Sequence, residues 1–212
     1  VNCYELVNIT LSNNRISEIE FDTFFMCRDL LFLDLSYNQI KEIHENTFSQ
    51  PSNLIELNLS INRIEKLTRK HFKPIKKLRK INLHANNIQK LSHDIFNDLF
   101  DLTSLDLSHN PIISLDSRFF DFVMFLEDLN LSGTNLRKFL PGTFKSLKRL
   151  KTLDISANFF QSLDGEMLTK NGELHTLKIS QCSINEIGEH FFDKLPKLDL
   201  VESRGNRCFD GL

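Results

Sequence analysis

The sequence predicts an α/β solenoid of nine 24-residue coils. Each coil would add one short strand to a parallel sheet on the concave face, with a convex side of short irregular or 3-10 segments. Two observations carry this prediction. The pattern L-x-x-L-x-L-x-x-N, with Ile or Val at some apolar sites, starts at Leu6, Leu30, Leu54, Leu78, Leu102, Leu126, Leu150, Leu174 and Leu198, with no insertion or deletion between starts. A second apolar position runs in phase at Ile19, Ile43, Leu67, Leu91, Leu115, Phe139, Leu163 and Ile187. A bulky residue follows each of these five positions on, at Phe24, Phe48, Phe72, Phe96, Phe120, Phe144, Leu168 and Phe192. This column absorbs many of the 19 Phe of a chain without Trp, and a strict repeat also explains why 7 Gly and 5 Pro suffice for 212 residues. The whole chain, 1–212, is expected to form one domain.

Taken in order along a coil, each segment has a physical reason. In Leu30-x-x-Leu33-x-Leu35 the last two leucines alternate with period 2, as a strand with one buried face requires. The intervening Phe32, Asp34 and Ser36 are then expected to point into the concavity. Nine strands about 4.8 Å apart give a sheet roughly 40 Å long. After the strand comes a column of Asn14, Asn38, Asn62, Asn86, Asn110, Thr134, Asn158, Cys182 and Asn206. An inward Asn carries donor and acceptor and so satisfies backbone groups of adjacent turns; Thr134 keeps part of that capacity and Cys182 little. The Phe column fills the wider convex side. A single coil cannot offset its own ordering entropy, whereas a stack can.

Motifs such as Leu33-Asp34-Leu35-Ser36-Tyr37-Asn38 and Leu105-Asp106-Leu107-Ser108-His109-Asn110 resemble those of leucine-rich-repeat proteins of the typical 24-residue class, over about residues 4 to 207. The resemblance implies a right-handed horseshoe. It is nearest to Toll-like receptor ectodomains and secreted arthropod immune repeat proteins, which implies a non-catalytic extracellular recognition module of innate immunity. Such a module would bind a protein or microbial ligand, including an anionic one, through its concave face. The alternative is a structural or adhesive matrix or cell-surface protein; Ser132-Gly133 is the only Ser-Gly pair that could serve a proteoglycan.

Four cysteines allow three complete pairings. Cys3 and Cys27 hold equivalent positions on neighbouring coils, where stacking brings Cα atoms within disulfide range, so these two are expected to pair. Cys182, in the buried ladder, is read as a free, inert thiol. Cys208 lies near the C-terminal end of the stack, which like the N-terminal end carries no recognisable cap. Homo- or hetero-association through uncapped ends or Cys208 is therefore expected. Asn8, Asn58 and Asn130 open glycosylation sequons, although Asn-Leu-Ser is also what the repeat itself generates. Disulfide geometry and sequons favour an extracellular location. No basic segment followed by an apolar stretch opens the chain, and no run of 18 apolar residues would insert in a membrane.

Charge and motif content exclude several functions. Lys plus Arg is 26 and Asp plus Glu 28, a net of −2, and no aromatic-basic interleaving suited to base stacking occurs, so no nucleic acid is expected. No Gly-rich phosphate loop exists. His84 and His109 face the concavity near Asp106, Asp128 and a serine column, but those residues belong to the repeat pattern. A flat sheet offers neither pocket nor oxyanion hole, so no catalytic residue, metal site or cofactor is expected. Two basic groups stand out, Arg69–Lys80 and Arg137–Lys151. The expected ligand site is the concave face of repeats 2 to 4. There Phe32, Tyr37 and Ile61 would form one apolar patch beside Leu31 and Ile55, rimmed by Asp34 and Glu56 and followed by Arg79 and Lys80.

Overall fold

The computed structural model describes residues 3–207. Nine three-residue strands form one parallel sheet in chain order: β1 (Asn8–Thr10), β2 (Phe32–Asp34), β3 (Glu56–Asn58), β4 (Lys80–Asn82), β5 (Ser104–Asp106), β6 (Asp128–Asn130), β7 (Thr152–Asp154), β9 (Thr176–Lys178) and β11 (Leu200–Glu202). Register is constant, each residue pairing with the one 24 further on, as Phe32 with Glu56 and Leu33 with Leu57. The central residue of each inner strand is buried and its two neighbours face the concavity, the period-2 alternation read from the leucines.

Six of the nine strands are ended by a side chain of their own. Oδ1 of Asp34, Asn58, Asn82, Asp106, Asn130 and Asp154 accepts the N–H two residues on, at 2.8–3.1 Å. At the residue after that N–H position the chain turns left-handed in every coil: Asn13, Tyr37, Ile61, Ala85, His109, Gly133, Ala157, Gln181 and Gly205 all have φ between 52° and 73°. Only two of these nine are glycine. The N–H of each of the first eight bonds to a carbonyl of the following coil, for example Tyr37 to Ser60 O at 3.0 Å and Ile61 to His84 O at 2.8 Å, so the stack holds the conformation against its local cost.

The Asn ladder follows. Asn62 Nδ2 donates to Leu35 O in the preceding coil (2.9 Å) and Leu59 O in its own (3.1 Å), while Oδ1 accepts the N–H of Ile40 (3.0 Å). Asn38, Asn86, Asn110 and Asn158 repeat the arrangement. Thr134 Oγ1 reaches Leu131 O and Asn158 Oδ1, and the N–H of Ile112, left without an Asn oxygen, turns to Asn110 O at 2.7 Å. Cys182 keeps more than expected: its S–H reaches Ile155 O of the preceding coil at 3.2 Å. It supplies no acceptor.

Inside, Leu30, Leu54, Leu78, Leu102, Leu126, Leu150 and Leu174 are fully buried, and the Phe column stacks between coils, with Phe24–Phe48 centroids 6.5 Å apart and Phe120–Phe144 5.8 Å. Each such side chain contributes about 1.5–3 kcal/mol of burial.

The convex side is mostly turns, the short irregular segments expected, with one 3-10 turn (Phe192–Lys194), a four-residue α-helix (Arg69–Phe72) and a second small parallel sheet, β8 (Ser162–Leu163) with β10 (Glu186–Ile187). The structure corrects the sequence reading at other points. In the eighth coil Phe191, not Phe192, fills the core; the 3-10 turn shifts the phase by one and leaves Phe192 exposed. Leu6 and Val201, in the coils of the two outer strands β1 and β11, are exposed. Ser36, Ser60 and Ser108 are buried rather than lining the concavity. Cys208 and the residues after it lie outside the described residues. No helix among the described residues is long and apolar enough to cross a membrane.

Candidate ligand-binding face

The first and third residues of each strand stand on the concave side, so the sheet displays two parallel columns that vary freely while the leucines do not. Across β1–β5 they enclose a shallow groove of about 580 Å³, lined by Asn8, Phe32, Asp34, Glu56, Asn58 and Lys80 among others. A second depression of about 660 Å³ runs along the strand-start rim, past Phe32, Ile55, Arg79, Thr103, Phe125 and Arg149. Phe32 belongs to both.

Charges on this face are largely matched between coils. Lys80 Nζ lies 2.9 Å from Glu56, Lys151 2.7 Å from Glu127 and Lys178 3.0 Å from Glu202. The carboxylate partners hold the ammonium pKa of Lys151 and Lys178 above the ordinary lysine value. Among the described residues no carboxylate lies within 4.0 Å of the Arg79 guanidinium, which leaves it available to a ligand.

The expected patch is divided. Phe32, Asp34, Glu56 and Lys80 come together in the groove and Arg79 on its rim. Tyr37 and Ile61 stand past the other end of the strands, on the left-handed turn, and line neither depression. Leu31 and Ile55 are half-buried at the strand starts. Sequence reasoning missed Phe125 and Arg149, the residues just before a repeat start. The signal was there: Phe125 is the one aromatic in a column otherwise occupied by Asp, Asn, Lys, Arg and Glu.

Serine, histidine and aspartate do meet at the end of β5, with the serine buried beneath the face and in the wrong order for a nucleophile. Ser108 Oγ donates to Asp106 Oδ1 at 2.5 Å and accepts from His84 Nδ1 at 2.7 Å. Hydrolytic chemistry requires imidazole to take the serine proton, and here that proton is held by the carboxylate. The His84 and His109 rings meet edge to face at 5.1 Å, and among the described residues no group of three or more His, Cys, Asp or Glu is placed to hold a metal. Burial pushes the Cys182 thiol up to about 11, so it stays protonated near neutrality. The sequon residues differ: Asn8 is exposed, whereas Asn58 and Asn130 are half-buried with Oδ1 engaged by Ser60 and Ser132. The disulfide joins Cys3 and Cys27 with Cα atoms 4.8 Å apart.

The family model described as leucine rich repeat matches residues 5–64, 52–112, 76–136, 101–158, 125–184 and 148–207. A sequence comparison with curated proteins finds no match. Among solved structures, TLR13 in complex with ssRNA13 superimposes with a TM-score of 0.87 at 29% identity over 94% of this chain and 29% of that one. Toll of Drosophila, in its complex with Spatzle, gives 0.87 at 22% over 94% and 27%. A Leptospira interrogans protein with the same repeats gives 0.74 at 20% over 96% and 62%. The chain thus spans less than a third of the two receptors it resembles.

Proposed function

The chain belongs to the leucine-rich repeat family, and from that premise we propose that it is a single-domain, non-catalytic extracellular recognition module whose concave face, over repeats 2 to 4, binds a protein or microbial ligand in innate immunity. The observation that carries this reading is the groove in which exposed Phe32 stands beside the neutralised Glu56–Lys80 pair, with Arg79 on its rim, unpaired among the described residues. An aromatic anchor with a free guanidinium beside it is how energetic centres of interfaces are composed. The fold presents the groove rigidly, so binding orders little. Cys3–Cys27 and the exposed Asn8 sequon support an extracellular setting.

A protein ligand, as in the Toll–Spatzle structure, suits this face better than RNA, as in the TLR13 structure. The third strand column carries Asp34, Asp106 and Asp154, which repel phosphates, and the net charge is −2. The test is binding of a panel of secreted proteins, microbial polysaccharides and single-stranded RNA to the immobilised chain, repeated with Phe32→Ala and Arg79→Ala. A protein or polysaccharide hit weakened about tenfold or more by either variant, with thermal stability unchanged, supports the reading. RNA as the only hit, or a hit indifferent to both variants, overturns it. Homotypic adhesion as the only interaction favours the structural alternative.

A further inference from the structure

An exposed apolar cluster stands on the flank that leads into β5 and β6, beside the strand-start depression, with which it shares Phe125 and Arg149. Phe100 and Met124 occupy equivalent positions of neighbouring coils and are 52% and 51% exposed; Phe122 beside them is 46% exposed and Phe125 37%. Equivalent positions on this side are in contact, for the Arg149 guanidinium sits 4.4 Å over the Phe125 ring of the preceding coil. The repeat does not demand these side chains: the Phe100 and Met124 column carries Arg28, Ser52, Lys76 and Lys148 in other coils, and the Phe125 column carries Asp, Asn, Lys, Arg and Glu.

The flank is basic on both sides of this cluster. Lys73 and Lys76 lie one coil before it, Lys148 and Arg149 one coil after, and none has a carboxylate within 4.0 Å among the described residues. The acidic residues nearby are mostly spent internally. Asp98 is held bidentately by Arg69 at 2.6 and 3.1 Å, and Asp121 accepts from Ser146 at 3.0 Å with Lys145 at 3.6 Å. Exposed Asp101, beside Phe100, remains unpaired.

We propose that this flank is a second interaction surface, built for a protein partner that presents an apolar projection between two acidic regions. Those regions would stand roughly 15 Å apart, three coil spacings of about 4.8 Å. Arg149, ordered on Phe125, contributes a preorganised guanidinium to meet one of them. The charge pattern argues against the other occupants. A two-fold axis through the cluster would set Lys73 and Lys76 against Lys148 and Arg149 of a second copy, like charge on like. An anionic lipid surface would meet Asp101 next to the inserting Phe100, and a bare polyanion leaves the aromatic centre in water.

The probe is a labelled synthetic peptide with a Leu-Trp-Leu centre flanked by three glutamates on each side, titrated by fluorescence anisotropy against the intact chain. Binding is expected in the range of about 10–100 μM. Phe122→Ser with Met124→Ser should weaken it about tenfold or more, as should Lys76→Glu with Lys148→Glu, while Phe159→Ser beyond the opposite end of the strands leaves it unchanged. Melting curves confirm folding, and Phe100→Ser replaces any variant that fails. Several outcomes overturn the proposal: no binding up to about 1 mM, equal binding of a peptide with a Gly-Ser-Gly centre, sedimentation with phosphatidylserine vesicles that requires Phe122 and Met124, or a dimer that those variants dissolve.

Discussion

Gly133 lies directly under the imidazole of His109: a Cβ added to it would stand 2.8 Å from His109 Nδ1. Gly133 is also left-handed, with φ of 61°. Both constraints act at one residue and predict that Gly133→Ala destabilises the chain by about 1–2 kcal/mol from backbone strain alone. The ring clash adds to that cost. Denaturant midpoints of Gly133→Ala in the native and His109→Ala backgrounds separate the two contributions; equal losses in both would show that the ring gives way freely.

The same column predicts the opposite sign three coils away, at Ile61. Ile61 is β-branched at φ of 54°, the least suitable residue type for that conformation. Ile61→Asn is expected to raise stability by up to about 1 kcal/mol, because Asn tolerates the left-handed region. Chemical denaturation measures it. A lower midpoint would mean that the half-buried Ile61 side chain contributes more packing than its backbone costs.

Cys182→Asn should restore the acceptor that the ladder lacks in the eighth coil, since each flanking Asn oxygen takes the N–H found 22 residues earlier, here that of Phe160. A gain of about 1 kcal/mol follows from one recovered buried hydrogen bond. Loss of stability would show that the thiol's contact with Ile155 O and its packing outweigh that bond.

These residues mark what could be read from the sequence. The leucine and Phe columns dictated the coil count, the sheet and its register, because burial with periods of 2 and 24 leaves few alternatives. The left-handed column was illegible: with Tyr37, Ile61, Ala85 and His109 in it, Asn13, Gly133 and Gly205 gave too sparse a hint of a positive φ. The carbonyls of the next coil impose that conformation, and no local propensity announces them. For the same reason Tyr37 and Ile61 were assigned to one patch with Phe32; the strand ends at Asp34 and the turn carries them off the groove. Ion pairs such as Glu56–Lys80 were legible as a 24-residue spacing of opposite charges, though not as neutralisation of the expected rim.

Acid should weaken the convex side through Asp98. Its guanidinium partner, Arg69, holds the Asp98 carboxyl below its ordinary range. A depressed carboxylate adds stability that is fully present above about 3.9, the unfolded value, and is lost as pH falls through the folded value. Asp98→Asn should therefore lower the melting temperature at pH 7, and the gap to the parent should close on acidification. A gap that persists unchanged at low pH would assign the effect to packing.

Cys3–Cys27 closes a loop of 24 residues and is expected to stabilise the first coil by about 3 kcal/mol in the chain-entropy model. Thiol labelling of the unfolded, unreduced chain should mark Cys182 and leave Cys3 and Cys27 unmarked. Label on both would remove the bridge, and with it the main structural support for an oxidising compartment.

The strictly sequential strand order gives the molecule a mechanical character. Each strand bonds only to the strand of the preceding coil and that of the following one. Tension applied through the C-terminal end therefore loads one interface at a time, and the coils peel off singly. Each detached coil pays out roughly 80 Å of contour, 24 residues at about 3.3–3.6 Å. At the other end the Cys3–Cys27 bridge keeps the enclosed loop from contributing length at all. Extension would thus proceed in equal steps from the C-terminal end and halt at a covalent stop, so the strands β2–β4 that carry Phe32, Glu56 and Lys80 would be among the last to detach.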